Sequence, residues 1–212
     1  MNKGKKILLY SACAVFAVFN LFLLAQNLKM KVLELASQEE EEEYTITQAH
    51  QIFTINDSFL NNGISLKGEH LTESHTGNET TLDNLFHDSP NRKYLVCRFS
   101  EYDCEQCILY SVGRMTDFVQ QNNLELKPMI WGRFLDIHNL NVITNRIPGT
   151  ENVSIYSSTD SIMPIDEHGN PYYFIIDQAM TVYDVFTPDK MDPDMTDLYL
   201  ESISRKLSYA VR

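Results

Sequence analysis

Two cysteines separated by two residues, Cys104-Glu105-Gln106-Cys107, are the part of this chain best suited to chemistry. A thiolate is a strong nucleophile and a soft metal ligand. The two-residue gap lets both sulfurs meet within one helical turn. Where such a pair opens a helix, the free N–H groups and the dipole of that end favour a thiolate on the first cysteine. The thiolate attacks a disulfide and the second thiol resolves the mixed intermediate. The spacing therefore predicts Cys104 as nucleophile and Cys107 as its more buried resolving partner. A structural zinc site would need a second such pair or two nearby histidines, and the sequence offers neither at a suitable spacing.

The surroundings of the pair pull in opposite directions. Glu101, Asp103 and Glu105 place negative charge beside Cys104, which should raise its pKa against the helix dipole. Arg98, on the strand leading in, is expected either to pair with one of those carboxylates or to favour the thiolate. Cys97 points the other way from Arg98 and is expected to be a buried core residue. Cys13 falls inside a long apolar run and is expected to be inert filler.

These residues need a scaffold, and the hydrophobic pattern supplies one. Tyr94 to Phe99 (YLVCRF) is compact and apolar, as suits a buried central strand. Ile108, Val112, Met115 and Val119 follow at helical spacing, so a strand runs into a helix with the CxxC at the join. Pro128 to Phe134 reads as a strand. Asp136 can cap a helix carrying Ile137, Leu140, Ile143 and Ile147, which Pro148-Gly149 ends. Asn152 to Tyr156 is a third strand. Tyr172 to Asp177 and Val182 to Phe186 make an antiparallel hairpin. Asp192-Pro193 marks a helix start, with Tyr199, Ile203 and Leu207 on its buried face. Upstream, Ile64 to Leu66, a turn at Thr76-Gly77-Asn78 and Glu79 to Leu82 read as a β-hairpin, with a short helix over Leu82 to Phe86. The expected fold class is α/β, a mixed central sheet flanked by helices.

Two blocks carry a resemblance. Phe99-Ser-Glu-Tyr-Asp-Cys104-Glu-Gln-Cys107 resembles the active-site block of thioredoxin-like proteins, and Gly169-Asn-Pro171-Tyr-Tyr-Phe-Ile-Ile-Asp177 resembles their later proline-plus-strand block. The likeness covers roughly residues 63–212 and is to the membrane-anchored redoxin (TlpA-type) members in bacteria. It implies a thioredoxin-like fold, a cis peptide before Pro171, and a backbone at Asn170 and Pro171 that faces the dithiol and pairs with a substrate chain. Glu105-Gln106 departs from the Gly-Pro of thioredoxin itself, and Asp103 stands where thioredoxins often have Trp.

The N-terminal region reads as a tether. Ile7 to Ala25 is nineteen residues without a charge, enough to cross a bilayer as a helix. Lys3, Lys5 and Lys6 precede it, which predicts a cytoplasmic N-terminus and an exported body. Leu23 occupies a position where a cleavage site wants a small residue, which favours an uncleaved anchor. The expected organisation is a cytoplasmic tip and inner-membrane anchor over 1–26, an acidic spacer over 27–62 with Glu39 to Glu43 at its centre, and a periplasmic domain over 63–212. Residues 1–31 hold five lysines and no acid, so 12 basic and 29 acidic residues lie beyond them. A body this acidic repels phosphate backbones and argues against nucleic-acid binding.

The leading expectation is a thiol–disulfide oxidoreductase with no cofactor, acting on exported protein disulfides or on a partner oxidoreductase. One alternative is metal delivery. Cys104, Cys107 and His168 resemble the two cysteines and distal histidine of the Sco copper proteins, although those space their cysteines one residue wider. Another is a redox-silent thioredoxin-fold binding or sensor domain. A peroxidase of the peroxiredoxin type lacks its usual proline and threonine in Ser100 to Asp103.

Overall fold

The computed structural model describes Lys31 and residues 56–87, 92–122 and 126–210. The expected anchor over 7–25 and the acidic run over 39–43 lie outside the described residues. Among the described residues no helix is long and apolar enough to cross a membrane. The chain divides into two compact units, Met1–His50 and Gln51–Arg212, and every element named below belongs to the second.

A helix over 56–61 (α1) is followed by β1 (His70–Glu73), β2 (Glu79–Thr81), α2 (Leu82–His87), β3 (Lys93–Ser100), α3 (Glu105–Asn122), β4 (Leu126–Arg133), α4 (Ile137–Thr144), β5 (Ser154–Ser158), β6 (Tyr172–Ile176), β7 (Val182–Phe186) and α5 (Pro193–Ala210). Seven strands form one sheet in the order β2-β1-β5-β4-β3-β6-β7. β3 runs parallel to β4, and β4 to β5. β6 is antiparallel to both β3 and β7. This mixed sheet flanked by helices is consistent with the thioredoxin-like fold that the two sequence blocks imply.

β3 lies at the centre because both of its faces can be buried. Leu95, Cys97 and Phe99 face a core shared with Ile108, Val112 and Met115 of α3 and with Leu200 and Ile203 of α5. Tyr94 and Val96 face a second core with Leu82 and Phe86 of α2, Trp131 of β4 and Phe174 of β6. The period of two along the strand divides the sheet between these layers. Each fully buried aliphatic or aromatic side chain contributes about 1.5–3 kcal/mol.

Local signals set the ends of the helices. Asp136 caps α4 by accepting from the N–H of His138 at 2.8 Å. Asp192 accepts from the N–H of Met195 at 3.2 Å, ahead of Pro193 at the first position of α5. α4 stops at Thr144 rather than running to Ile147. The Thr144 hydroxyl bonds back to the Leu140 carbonyl, the Thr150 hydroxyl bonds to the Ile147 carbonyl, and Ile147 reaches the core from the following turn.

Two expectations are corrected near residue 63. Ile64 to Leu66 is not the first strand of the hairpin. The partner of β2 is β1, in the register Leu71↔Thr80. Ile64 and Leu66 instead pair with the start of β7: Val182 N–H donates to Ile64 C=O at 2.9 Å and Leu66 N–H to Met180 C=O at 2.8 Å. The solvated spacer expected up to residue 62 also ends earlier. α1 packs on the folded body, with Ile165 N–H donating to Asn61 Oδ1 and Val185 N–H to Asn62 Oδ1, both at 3.2 Å. Asn61 and Asn62 satisfy backbone groups that would otherwise be left unpaired.

Candidate active site: a dithiol at the N-terminus of α3

The site forms where β3 ends. Asp103 turns back on Ser100, its carboxylate accepting from the Ser100 N–H at 2.8 Å and hydroxyl at 2.7 Å. This tight turn delivers Cys104 to the residue preceding α3. There its carbonyl accepts the first bonds of the helix, from Cys107 N–H at 2.9 Å and Ile108 N–H at 3.0 Å. Cys104 is exposed and Cys107 half-buried, in the order expected for a nucleophile and its resolving partner.

The Cys104 thiol is held below its ordinary pKa. The chief cause is the hydrogen bond from the Cys107 thiol, followed by the backbone N–H of Cys107, with further help from Lys190 and the Gln106 N–H. The sulfur thus takes the place of a capping oxygen at a helix start. Cys107 is pushed up, first by burial and then by the thiol and charge of Cys104. Cys97 is fully buried, and burial drives its thiol far up.

This reverses the expectation that carboxylates would raise Cys104. Asp103 is occupied by Ser100, and Glu105 is engaged by Arg146 at 2.5 Å. Lys190, from the turn between β7 and α5, was invisible to sequence reasoning. Its Nζ lies 3.9 Å from Cys104 Sγ. The 86 residues between them leave no local pattern to read.

Arg98 serves neither the carboxylates nor the thiolate. Its side chain is fully buried on the opposite face of β3, where Nε and a terminal nitrogen donate to Asp166 at 2.7 and 3.1 Å. It also donates to the Asp160 carbonyl at 2.7 Å and stacks 5.0 Å from the centre of the Trp131 ring. The period of two that sends Cys97 to the α3 side sends Arg98 away from it. Asp166 accepts in addition from Tyr172 Oη at 2.8 Å and Ile162 N–H at 2.7 Å. Burial alone would raise the Asp166 carboxyl, but Arg98 and these hydrogen bonds outweigh it and hold the group below the usual range.

This buried pair fixes the loop over 159–168, which leads into Asn170 and Pro171. The register Arg98↔Tyr172 carries Asn170 and Pro171 to the end of the sheet where β3 delivers the dithiol. The peptide before Pro171 is trans, against the cis bond implied by the resemblance, and among the described residues none is cis. Gly169 makes the change of direction instead, at φ 69°. This is a left-handed conformation that costs glycine little, and trans is the lower-energy form of the bond.

His168 is placed elsewhere than the metal alternative requires. Its Nδ1 lies 3.3 Å from Oδ1 of the buried Asp57 of α1. Among the described residues no three His, Cys, Asp or Glu side chains stand close enough together to hold a metal ion. The set Cys104, Cys107 and His168 therefore does not form a ligand cluster in this geometry.

No family model matches the chain, and no curated protein matches it. Solved structures do resemble it. A SCO1/SenC family lipoprotein from Bacillus anthracis shares 14% identity, with 71% of this chain and 96% of the other covered and a TM-score of 0.49. A protein assigned as the thiol:disulfide interchange protein DsbE of Chlorobium tepidum shares 11%, covering 68% and 99%, with a TM-score of 0.46. A thiol peroxidase from Chromobacterium violaceum shares 16%, covering 67% and 87%, with a TM-score of 0.45. At this degree of likeness the chemistry is read from the site's own residues.

Proposed function

We propose that this chain is a membrane-tethered thiol–disulfide oxidoreductase whose dithiol acts on protein disulfides outside the cytoplasm. The observation that carries the reading is Cys104 itself: an exposed thiol at a helix start, held below its ordinary pKa, with Cys107 as hydrogen-bond donor beside it. A nucleophile of that kind needs access, thiolate character and a resolving thiol within reach. All three meet at Cys104 and Cys107. Cys97 is excluded from the exchange by its burial.

The substrate side follows from position. Asn170 is exposed in the loop ahead of β6, next to the buried Pro171, and offers its backbone at the dithiol end of the sheet. An extended substrate segment can add to such a stretch through main-chain hydrogen bonds. Tyr102, 80% exposed, and Met191, 82% exposed, flank Cys104 and Lys190 in the chain and offer apolar contact to a polypeptide. The nineteen uncharged residues from Ile7 to Ala25, after three lysines, support a single inner-membrane span with the body in the periplasm. A tethered reductant there would draw its electrons from a membrane partner oxidoreductase. In the decisive test, insulin-type disulfide reduction by the full chain is lost in Cys104→Ser. An equally active Cys104→Ser variant would remove Cys104 as the nucleophile.

A further inference from the structure

We propose that Lys190 is a catalytic residue of this exchange, a single ammonium that stabilises the thiolate first on Cys104 and then on Cys107. The inference rests on the redox reading of the pair and adds a group to it. Lys190 Nζ is 3.9 Å from Cys104 Sγ, and its charge also favours the thiolate on Cys107 against the burial that disfavours it. Neighbouring cations are engaged with carboxylates: Arg146 with Glu105, Arg133 with Glu167, Arg98 with Asp166. Lys190 is directed at sulfur.

Its backbone is held in place. Asp189 Oδ1 accepts from Met191 N–H at 2.8 Å, and the Asp189 carbonyl accepts from Asp192 N–H at 3.2 Å. Pro188 is buried, and the Thr187 hydroxyl lies 3.5 Å from Asp57 Oδ2. The turn therefore presents the lysine from a fixed base while its flexible stem allows the ammonium to move between two sulfurs.

The chemistry calls for that movement. In the first step the Cys104 thiolate attacks one sulfur of a substrate disulfide. A bond forms between those two sulfurs, the substrate S–S bond breaks, and the departing sulfur leaves as a thiolate that takes a proton from water. In the second step the Cys107 thiol gives its proton to water, and its thiolate attacks Cys104 Sγ. The mixed bond breaks, and the second substrate sulfur leaves and is protonated. Two electrons pass from the cysteine pair to the substrate, and the ammonium keeps its protons throughout. Negative charge sits on Cys104 before the first step and on Cys107 before the second. The helix N–H groups face Cys104 most directly, so Cys107 depends more heavily on a mobile cation.

The test follows the reaction of the reduced full chain with the neutral disulfide 2,2′-dithiodipyridine, which releases one coloured thiopyridone in each step. Lys190→Met is expected to slow both releases by about 3- to 10-fold at neutral pH, the size of one solvent-exposed charge contact at this distance in low salt. It is also expected to shift the pH midpoint of the first release upward. Lys190→Arg restores most of both effects. Added salt slows the wild-type protein and leaves Lys190→Met unchanged. Unaltered rates in Lys190→Met, or salt-insensitive wild-type rates, would overturn the assignment. A wild-type rate equal to that of Cys104→Ser would instead remove the redox reading and leave no exchange for Lys190 to assist.

Discussion

Arg98 and Asp166, 68 residues apart in the chain, form a two-point ion pair beneath the sheet, with side chains 0% and 5% exposed. It fastens the C-terminal part of β3 to the loop that leads into Asn170 and Pro171. The strand that delivers the dithiol and the loop proposed to receive the substrate therefore share one buried anchor.

Breaking that anchor on one side leaves a charge without its partner. Asp166→Asn should cost about 3–5 kcal/mol, because Arg98 stays buried and charged. Denaturant unfolding near neutral pH measures it. The carboxyl is held below its ordinary pKa, so its contribution is fully present above the unfolded value near ~3.9 and is lost as pH falls through the folded value. Wild-type stability should drop over that acidic range, and Asp166→Asn should show a smaller drop.

The three described cysteines should react with a thiol reagent in a fixed order. Cys104, exposed and with its thiol held down, is modified first, with a pH midpoint below the ordinary value of 9.0. Cys107 follows only at higher pH, since burial and its neighbour push it up. Cys97 reacts only on unfolding. Alkylation followed by peptide mapping across pH checks the order. Early labelling of Cys107 would contradict it.

The sequence pattern exposed some of this arrangement and hid the rest, for identifiable reasons. β3, α3 and the dithiol at their join were legible because each is local: an apolar run, a helical period and a two-residue spacing. The caps at Asp136 and Asp192 were legible for the same reason. Lys190, Asp166 and Asp57 were not, because each acquires its role from a partner far away in the chain. Ile64 to Leu66 was strand-like in composition, but composition does not name a partner, and β7 claimed it. Arg98 shows how far parity alone reaches. Its direction opposite to Cys97 was readable, whereas the carboxylate waiting on that side was not.

The packing around β4 supplies a check independent of the chemistry. A Cβ added at Gly132 would stand 2.7 Å from Leu140 Cδ1 and 2.8 Å from Phe134 Cδ2. Both atoms belong to side chains rather than backbone, but Leu140 and Phe134 are buried, so they must shift within a packed core. Gly132→Ala should cost about 1–3 kcal/mol in denaturant unfolding. A neutral result would mean that the α4 contact is looser than described.

The tether is open to direct test as well. The full chain is expected to fractionate with membranes and to resist extraction by high salt, whereas a chain lacking residues 1–26 should be released. Release of the full chain by salt alone would argue against a spanning segment.

The central claim is that Cys104 and Cys107 form one reversible two-electron couple. It is tested most directly by equilibrating the full chain with glutathione buffers of graded potential and counting free thiols. The account predicts a single transition that fits two electrons, about 30 mV per tenfold change in the ratio, and that disappears in both Cys104→Ser and Cys107→Ser. A chain that keeps both thiols free across the whole range, or a transition that survives either substitution, would contradict it.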